Sequence, residues 1–238
     1  MTRRRWIADE VSGNRAALTG EHARHLSQIL RAKIGQAFDI STGSSIRRDT
    51  LSKIESGRVE FELGKIIAQP PASAISVALS VFKFDRMEWA IEKCTELGIA
   101  RLIPLITART ESHLAAAATK RVERWQRVAH AASEQSRRVS PPELLRPIKL
   151  KDLIADTSGT RIVLSEVEQS LRLQDAVPKD AKSIVLAFGP EGGWKQDELE
   201  AFASAGWIAA SLGPAILRTE TAAIAAVAIA SSLLFERD

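Results

Sequence analysis

Ser183-Ile184-Val185-Leu186-Ala187-Phe188-Gly189-Pro190-Glu191-Gly192-Gly193-Trp194 reads as a buried strand, Ser183–Phe188, running straight into a glycine loop. An unbroken apolar run of strand length has no polar face, so both sides need cover, as in a parallel sheet between helix layers. The next segment, Gln196–Ala205, is helical in pattern, with acidic residues in its first turn where they complement the helix dipole. The order then repeats: a strand over Ile208–Leu212, a second loop from Gly213 to Glu220, and an alanine-rich helix over Thr221–Phe235. Strand and helix in alternation predict an α/β fold with a mostly parallel sheet.

The rhythm extends upstream. Arg161–Leu164, Arg101–Ile106 and Ser76–Phe82 have the composition of buried strands. Met87, Ala90, Ile91, Cys94 and Leu97 fall at helical spacing before Gly98, a good C-terminal stop. Lys120–Gln135 is expected as a helix with Val122, Trp125, Val128, Ala129 and Ala132 inward and its cations turned elsewhere. Residues before Pro70–Pro71 are different in kind. Short segments at Arg5–Ile7, Ala37–Ile40 and Val59–Ile67 read as strands and Glu21–Leu30 as a helix, with glycines between them. Because proline interrupts regular structure, the pair marks a linker between a small β-rich domain, residues 1–71, and an α/β domain, residues 72–238.

A chain of 238 residues accommodates two unequal domains, and 45% hydrophobic residues supply a core without disulfides or metals. The single cysteine, Cys94, excludes an internal disulfide and sits on an apolar helix face, where it reads as a core residue. Four histidines leave no spacing that reads as a zinc site, so no metal is expected. A reducing cytosol fits this composition. Arg3–Arg5 lack the apolar stretch of a signal peptide, and Thr221–Phe235 is shorter than the roughly 20 residues of a membrane span, so a soluble protein is expected. The net charge of +4 permits a polyanionic partner, and clusters at Arg3–Arg5, Arg47–Arg48 and Lys120–Arg138 favour one.

Two glycine loops after consecutive strands should emerge at one sheet edge, where open α/β sheets bind ligands. Glycine lets the backbone approach a flat ligand such as adenine closely. A phosphate-binding loop fits poorly: no Gly-Lys-Ser/Thr ending is present, and Glu191 would stand where phosphate should sit. Two tight turns would need the glycines but not Glu191, Arg218 and Glu220 beside them. Glu220 also has a plain structural use in the first turn of the last helix, and Arg218 in an ion pair.

Gly189-Pro190-Glu191-Gly192-Gly193, followed by Leu212-Gly213 and Ile216-Leu217-Arg218-Thr219-Glu220-Thr221-Ala222, resembles the C-terminal signature of RsmE enzymes in the SPOUT methyltransferase superfamily. Lys83 with Arg86-Met87-Glu88-Trp89, Lys93–Gly98, Pro104 with Thr107–Arg109, Trp125 with Ala131–Gln135, and His25 with Leu30-Arg31 resemble other parts of that family. The resemblance spans nearly the whole chain. It implies a PUA-like RNA-binding β-barrel, then a SPOUT domain with a C-terminal trefoil knot, a homodimer, and methylation of uridine N3 in 16S ribosomal RNA of the small subunit. The implied cofactor is S-adenosylmethionine, bound by Leu164, Phe188, Gly189, Pro190, Glu191, Gly192, Gly193, Leu212, Gly213, Ile216, Leu217, Arg218 and Thr221.

Uracil N3 is a poor nucleophile while protonated, so a base, or a cation that stabilises the anion, is required. Glu191 and Glu220 are the candidate carboxylates, Arg218 is the candidate cation, and the family-like motif around Arg109 implies a second one reaching the pocket from the same or the partner subunit. Arg3, Arg4, Arg5, His25, Arg31, Lys83, Arg86, Arg124, Arg137 and Arg138 are the expected RNA contacts. Trp6 and Trp194 read as packing residues more readily than as base-stacking ones. A non-catalytic RNA-binding assembly factor, and a methyltransferase acting on a ribose 2′-oxygen or another RNA, remain alternatives.

Overall fold

The computed structural model describes residues 5–68, 74–155 and 159–235. Arg3, Arg4 and the Pro70–Pro71 pair lie outside them. The chain forms two compact units: residues 1–71 with 130–141, and residues 72–129 with 142–238. The second boundary was not legible as a contiguous division, because His130–Pro141 is distant in sequence from the unit it joins. Arg5 N–H donates to Glu134 O at 3.2 Å, and Ser41 Oγ donates to Val139 O.

In the first unit, β1 (Trp6–Ile7), β2 (Glu10–Ser12), β3 (Arg15–Thr19), β4 (Ala37–Ser41), β5 (Ile46–Glu55) and β6 (Arg58–Ala68) form one mixed sheet in the order β1-β4-β5-β6-β3-β2. Among the described residues of this sheet, only β1 and β4 pair in parallel. Helix α1 (Gly20–Arg24) runs into a π-helical turn, His25–Ile29, and places Ala23 and Leu26 on a core of Trp6, Leu18, Ile40, Leu51 and Phe61. Gly57, at φ +75°, allows the tight β5–β6 hairpin. Register shifts break the pairing of these two strands at three places, and Gly64 N–H donates to the buried Asp49 at 2.9 Å.

The second unit follows the alternation. It contains β7 (Ile75–Ser80), α2 (Phe84–Glu96), β8 (Arg101–Ile106), α3 (Ser112–Gln135), β9 (Glu143–Leu144), β10 (Ile148–Lys149) and α4 (Leu150–Ile154). Then come β11 (Thr160–Leu164), α5 (Leu173–Ala176), β12 (Ile184–Phe188), α6 (Gln196–Ser204), β13 (Ile208–Ala210) and α7 (Thr219–Phe235). All strand pairs are parallel, in the order β10-β8-β7-β12-β11-β13, with β9 also beside β8. Strand β12 shows why its sequence is uniformly apolar: Ile184, Leu186 and Phe188 enter one core, and Val185 and Ala187 the other. Trp125, Met87, Ile91 and Val227 fill the first core, while Trp194, Phe202 and Trp207 fill the second. Cys94 is fully buried, and burial pushes its thiol up to about 12, as suits a packing residue.

From β7 the chain steps outward through β8 to β10, then crosses to build β11, β12 and β13 on the opposite side of β7. The connections therefore diverge at the β7–β12 junction, the place where open parallel sheets carry their ligand crevice.

Candidate active site

A cavity of about 360 Å³ opens in the second unit at the carboxyl ends of β7, β11, β12 and β13. Leu164, Phe188, Leu212, Leu217 and Ala222 give it apolar walls, and Ile216, 89% exposed, stands at its mouth. Charged side chains reach it from four segments: Lys83 and Arg86, Glu166, Glu191, and Arg218.

The loop after β12 is held from several sides. Ser80 Oγ donates to Phe188 O at 2.7 Å, and Thr219 Oγ1 donates to Gly189 O at 3.2 Å. The Trp194 indole N–H donates to Leu164 O at 2.9 Å, so the buried tryptophan ties this loop to the end of β11. Gly193 needs to be glycine for its backbone: its φ is +70°, while a Cβ there would meet only the exposed carboxylate end of Glu166, which can swing aside.

Arg86 organises the carboxylates. Its Nη1 donates to Glu191 Oε1 at 3.0 Å, and its Nε is 3.9 Å from Glu220 Oε1. Glu220 is buried in the first turn of α7, with its Oε2 lacking a hydrogen bond among the described residues. Arg218 is exposed on the cavity edge and forms no ion pair with the described residues, which leaves its guanidinium available to a ligand. A crevice with apolar walls, approachable backbone, and both carboxylates and an exposed cation in its lining suits a flat aromatic ligand with charged ends.

Residues 69–231 match the RNA methyltransferase domain family. The ribosomal RNA small subunit methyltransferase E of Aquifex aeolicus (strain VF5) is 34% identical over 229 residues, covering 94% of this chain and 97% of that protein. The chain belongs to the ribosomal RNA small subunit methyltransferase E family. A crystal structure of a family member from Neisseria gonorrhoeae bound to S-adenosyl methionine superposes with a TM-score of 0.84 at 29% identity, covering 97% of each chain. A putative methyltransferase from Legionella pneumophila in complex with the same cofactor gives a TM-score of 0.82 at 25% identity, again over 97% of each chain.

Against this family's fold, most of the expected cofactor positions line the cavity. Gly192 and Thr221 do not. The Gly192 carbonyl is turned to Arg109, and Thr221 is exposed on α7, one position short of Ala222, which does line the cavity. Arg109, expected as a catalytic cation, spends its guanidinium on the carbonyls of Gly192 and Trp194, the latter at 3.3 Å. Its loop is tied to α6, since Ala108 N–H donates to the buried Glu198 at 2.9 Å. Within this chain Arg109 is a brace for the glycine loop.

The expected RNA contacts fall into distinct settings. Arg86 faces the carboxylates of the cavity, and Lys83 lines it with an exposed ammonium. Arg124 pairs with Glu88 at 3.1 Å on a basic groove shared with Lys120, Arg121 and Arg127. In the first unit Arg5 donates to the Arg137 carbonyl, and His25 lies 5.4 Å from the Trp6 ring. Arg138 donates to Ser140 O at 3.1 Å, and burial lowers its guanidinium to about 10, an internal setting for a residue expected to meet phosphate. Glu166 was missed because Ser165-Glu166-Val167-Glu168 resembles any polar turn; its place directly after a buried strand was the available signal.

Proposed function

We propose that this chain methylates N3 of a uridine in 16S ribosomal RNA, taking the methyl group from S-adenosylmethionine, as a homodimer in the cytoplasm. The observation that carries the reading is the free guanidinium of Arg218 in the same cavity as the Glu191 carboxylate, at the sheet's point of divergence.

The residues present fit that cofactor. Leu164, Phe188, Leu212 and Leu217 offer apolar surface to adenine, Gly193 takes the left-handed turn that shapes the loop at the cavity, and Glu166 and Glu191 suit a cationic ligand. When bound, S-adenosylmethionine supplies an already electrophilic methyl carbon, so the protein's task is positioning and proton management. Glu191 is the base that takes the N3 proton, with Arg86 fixing the carboxylate's direction. Arg218 stabilises the negative charge that develops on the uracil ring. Glu220 holds Arg86 from behind and complements the α7 dipole.

The knotted topology belongs to the same reading. Ser211 N–H donates to Leu171 O at 2.9 Å, Leu173 N–H donates to Ser211 O at 2.9 Å, and Thr219 reaches Gly189 O. Contacts on both sides of the 211–219 segment support a chain end threaded through the preceding loops, although such topologies are rare. Apolar Ile216 left in solvent at the cavity mouth supports a second copy as its cover. The first unit is read as a PUA-like barrel that grips RNA. Arg31 and Arg137 are the two non-glycine residues with positive φ among the described residues, and backbone strain of this kind gathers at functional sites.

The test is transfer of labelled methyl from S-adenosylmethionine to small ribosomal subunits that lack the modification. Saturable transfer supports the reading. Cofactor binding without transfer would leave an RNA-binding assembly factor.

A further inference from the structure

Three of the chain's four histidines sit at one place in the first unit, and two of them form a cluster with acidic partners that the uridine chemistry does not use. His22 lies on α1, while His130 and Glu134 lie one turn apart on one face near the end of α3. One ligand-capable atom of each lies within 4.8 Å of the others. His22 Nε2 is 3.6 Å from Glu134 Oε1, and the two imidazoles stack with centroids 5.4 Å apart at an angle of 17°. Glu134 is fully buried.

We propose that His22, through Nε2, His130 and Glu134 bind one divalent transition-metal ion, with zinc the ion the ligands suit best. Two imidazole nitrogens and one carboxylate oxygen are a borderline-soft set, suited to zinc and its neighbours, whereas magnesium and calcium prefer oxygen alone. A tetrahedral zinc ion with bonds of about 2.0–2.2 Å spaces its ligand atoms about 3.3–3.5 Å apart. The His22–Glu134 separation of 3.6 Å therefore needs little adjustment.

The other nitrogen of His22 strengthens the case. Nδ1 is 3.4 Å from Asp9 Oδ1, and Asp9 is itself fixed by Thr19, whose backbone N–H donates to Oδ2 at 2.7 Å. A metal-binding histidine characteristically donates its second N–H to a carboxylate, which fixes the tautomer and aims the free nitrogen at the ion. Here Asp9 would direct Nε2 towards Glu134. The ion would fasten the 130–134 turn to α1 and to the segment before β2, an attachment within the first unit that no local sequence spacing encodes. A charged His22 between Asp9 and Glu134 is the competing arrangement, holding the same groups by a proton.

The experiment uses the full chain, stripped with chelator and titrated with Zn²⁺ by calorimetry, beside His22→Gln, His130→Asn, Asp9→Asn and His113→Gln. One micromolar or tighter site per chain is expected. It should be lost in His22→Gln and His130→Asn, weakened about 10–100-fold in Asp9→Asn, and unchanged in His113→Gln. Added Zn²⁺ should raise the melting temperature of the parent but not of His130→Asn. Far-UV circular dichroism and a cooperative urea transition confirm that each variant is folded. No saturable binding, or equal binding by folded His22→Gln and His130→Asn, would overturn the proposal in favour of the proton-held cluster.

Discussion

Arg86 Nη1 donates to Glu191 Oε1 at 3.0 Å, joining the first turn of α2 to the glycine loop after β12. The cation thus belongs to the cavity, although the family-like stretch Lys83 with Arg86-Met87-Glu88-Trp89 makes it an expected RNA contact. Arg86→Ala should lower the single-turnover methyl-transfer rate by about 10²-fold, on the scale of losing one oriented donor. Arg86→Lys, which keeps the charge without the planar fork, should recover part of it. The salt dependence of RNA affinity should not change; a slope reduced by about one would make Arg86 a phosphate contact instead.

Gly193→Ala puts a Cβ on a left-handed backbone and pushes the exposed Glu166 carboxylate from its place on the cavity lining. The strain alone costs about 1–2 kcal/mol. Calorimetry should show S-adenosylmethionine affinity reduced about tenfold or more. Undiminished affinity would move the cofactor away from this loop.

Arg218→Ala should separate activity from stability. The side chain is exposed and has no ion pair among the described residues, so unfolding free energy should change by no more than about 0.5 kcal/mol. The chemical step should slow by about 10²–10³-fold. Normal single-turnover rates would remove Arg218 from the mechanism.

Asp9 sets an acid limb of stability. Burial works to raise its carboxyl, but hydrogen bonds from His22 and the Thr19 N–H outweigh that and hold it below the ordinary range. A depressed folded-state value stabilises the fold above the unfolded value of about 3.9, and the gain is lost as pH falls through the folded one. Urea unfolding between about pH 5 and pH 2 should therefore lose less stability in Asp9→Asn than in the parent. Parallel curves would show that Asp9 is not coupled to folding.

The α/β half was legible because its strands are buried on both faces and helices such as α2 and α3 carry one apolar stripe, while α7 is apolar nearly all round. Arg101–Ile106 forms a strand with the expected limits. Helix α3 begins at Ser112 instead of Lys120, since the alanines before Lys120 have no amphipathic pattern to betray them. Strand β5 was missed because Arg47, Arg48 and Asp49 interrupt the alternation where its register shifts. The two loops identified the cavity, but the partners of Arg86 and Arg109 depend on side chains meeting across 105 and 83 positions. Spacing along the chain carries no trace of such meetings, nor of His22 beside His130.

The most direct measurement is the identity of the modified nucleoside. After incubation with S-adenosylmethionine and unmodified small ribosomal subunits, the ribosomal RNA is digested and analysed by mass spectrometry. The result expected is 3-methyluridine at one site, absent in the Arg218→Ala reaction over the same time. A 2′-O-methylated nucleoside, or a methylated base other than uracil N3, would contradict the assignment.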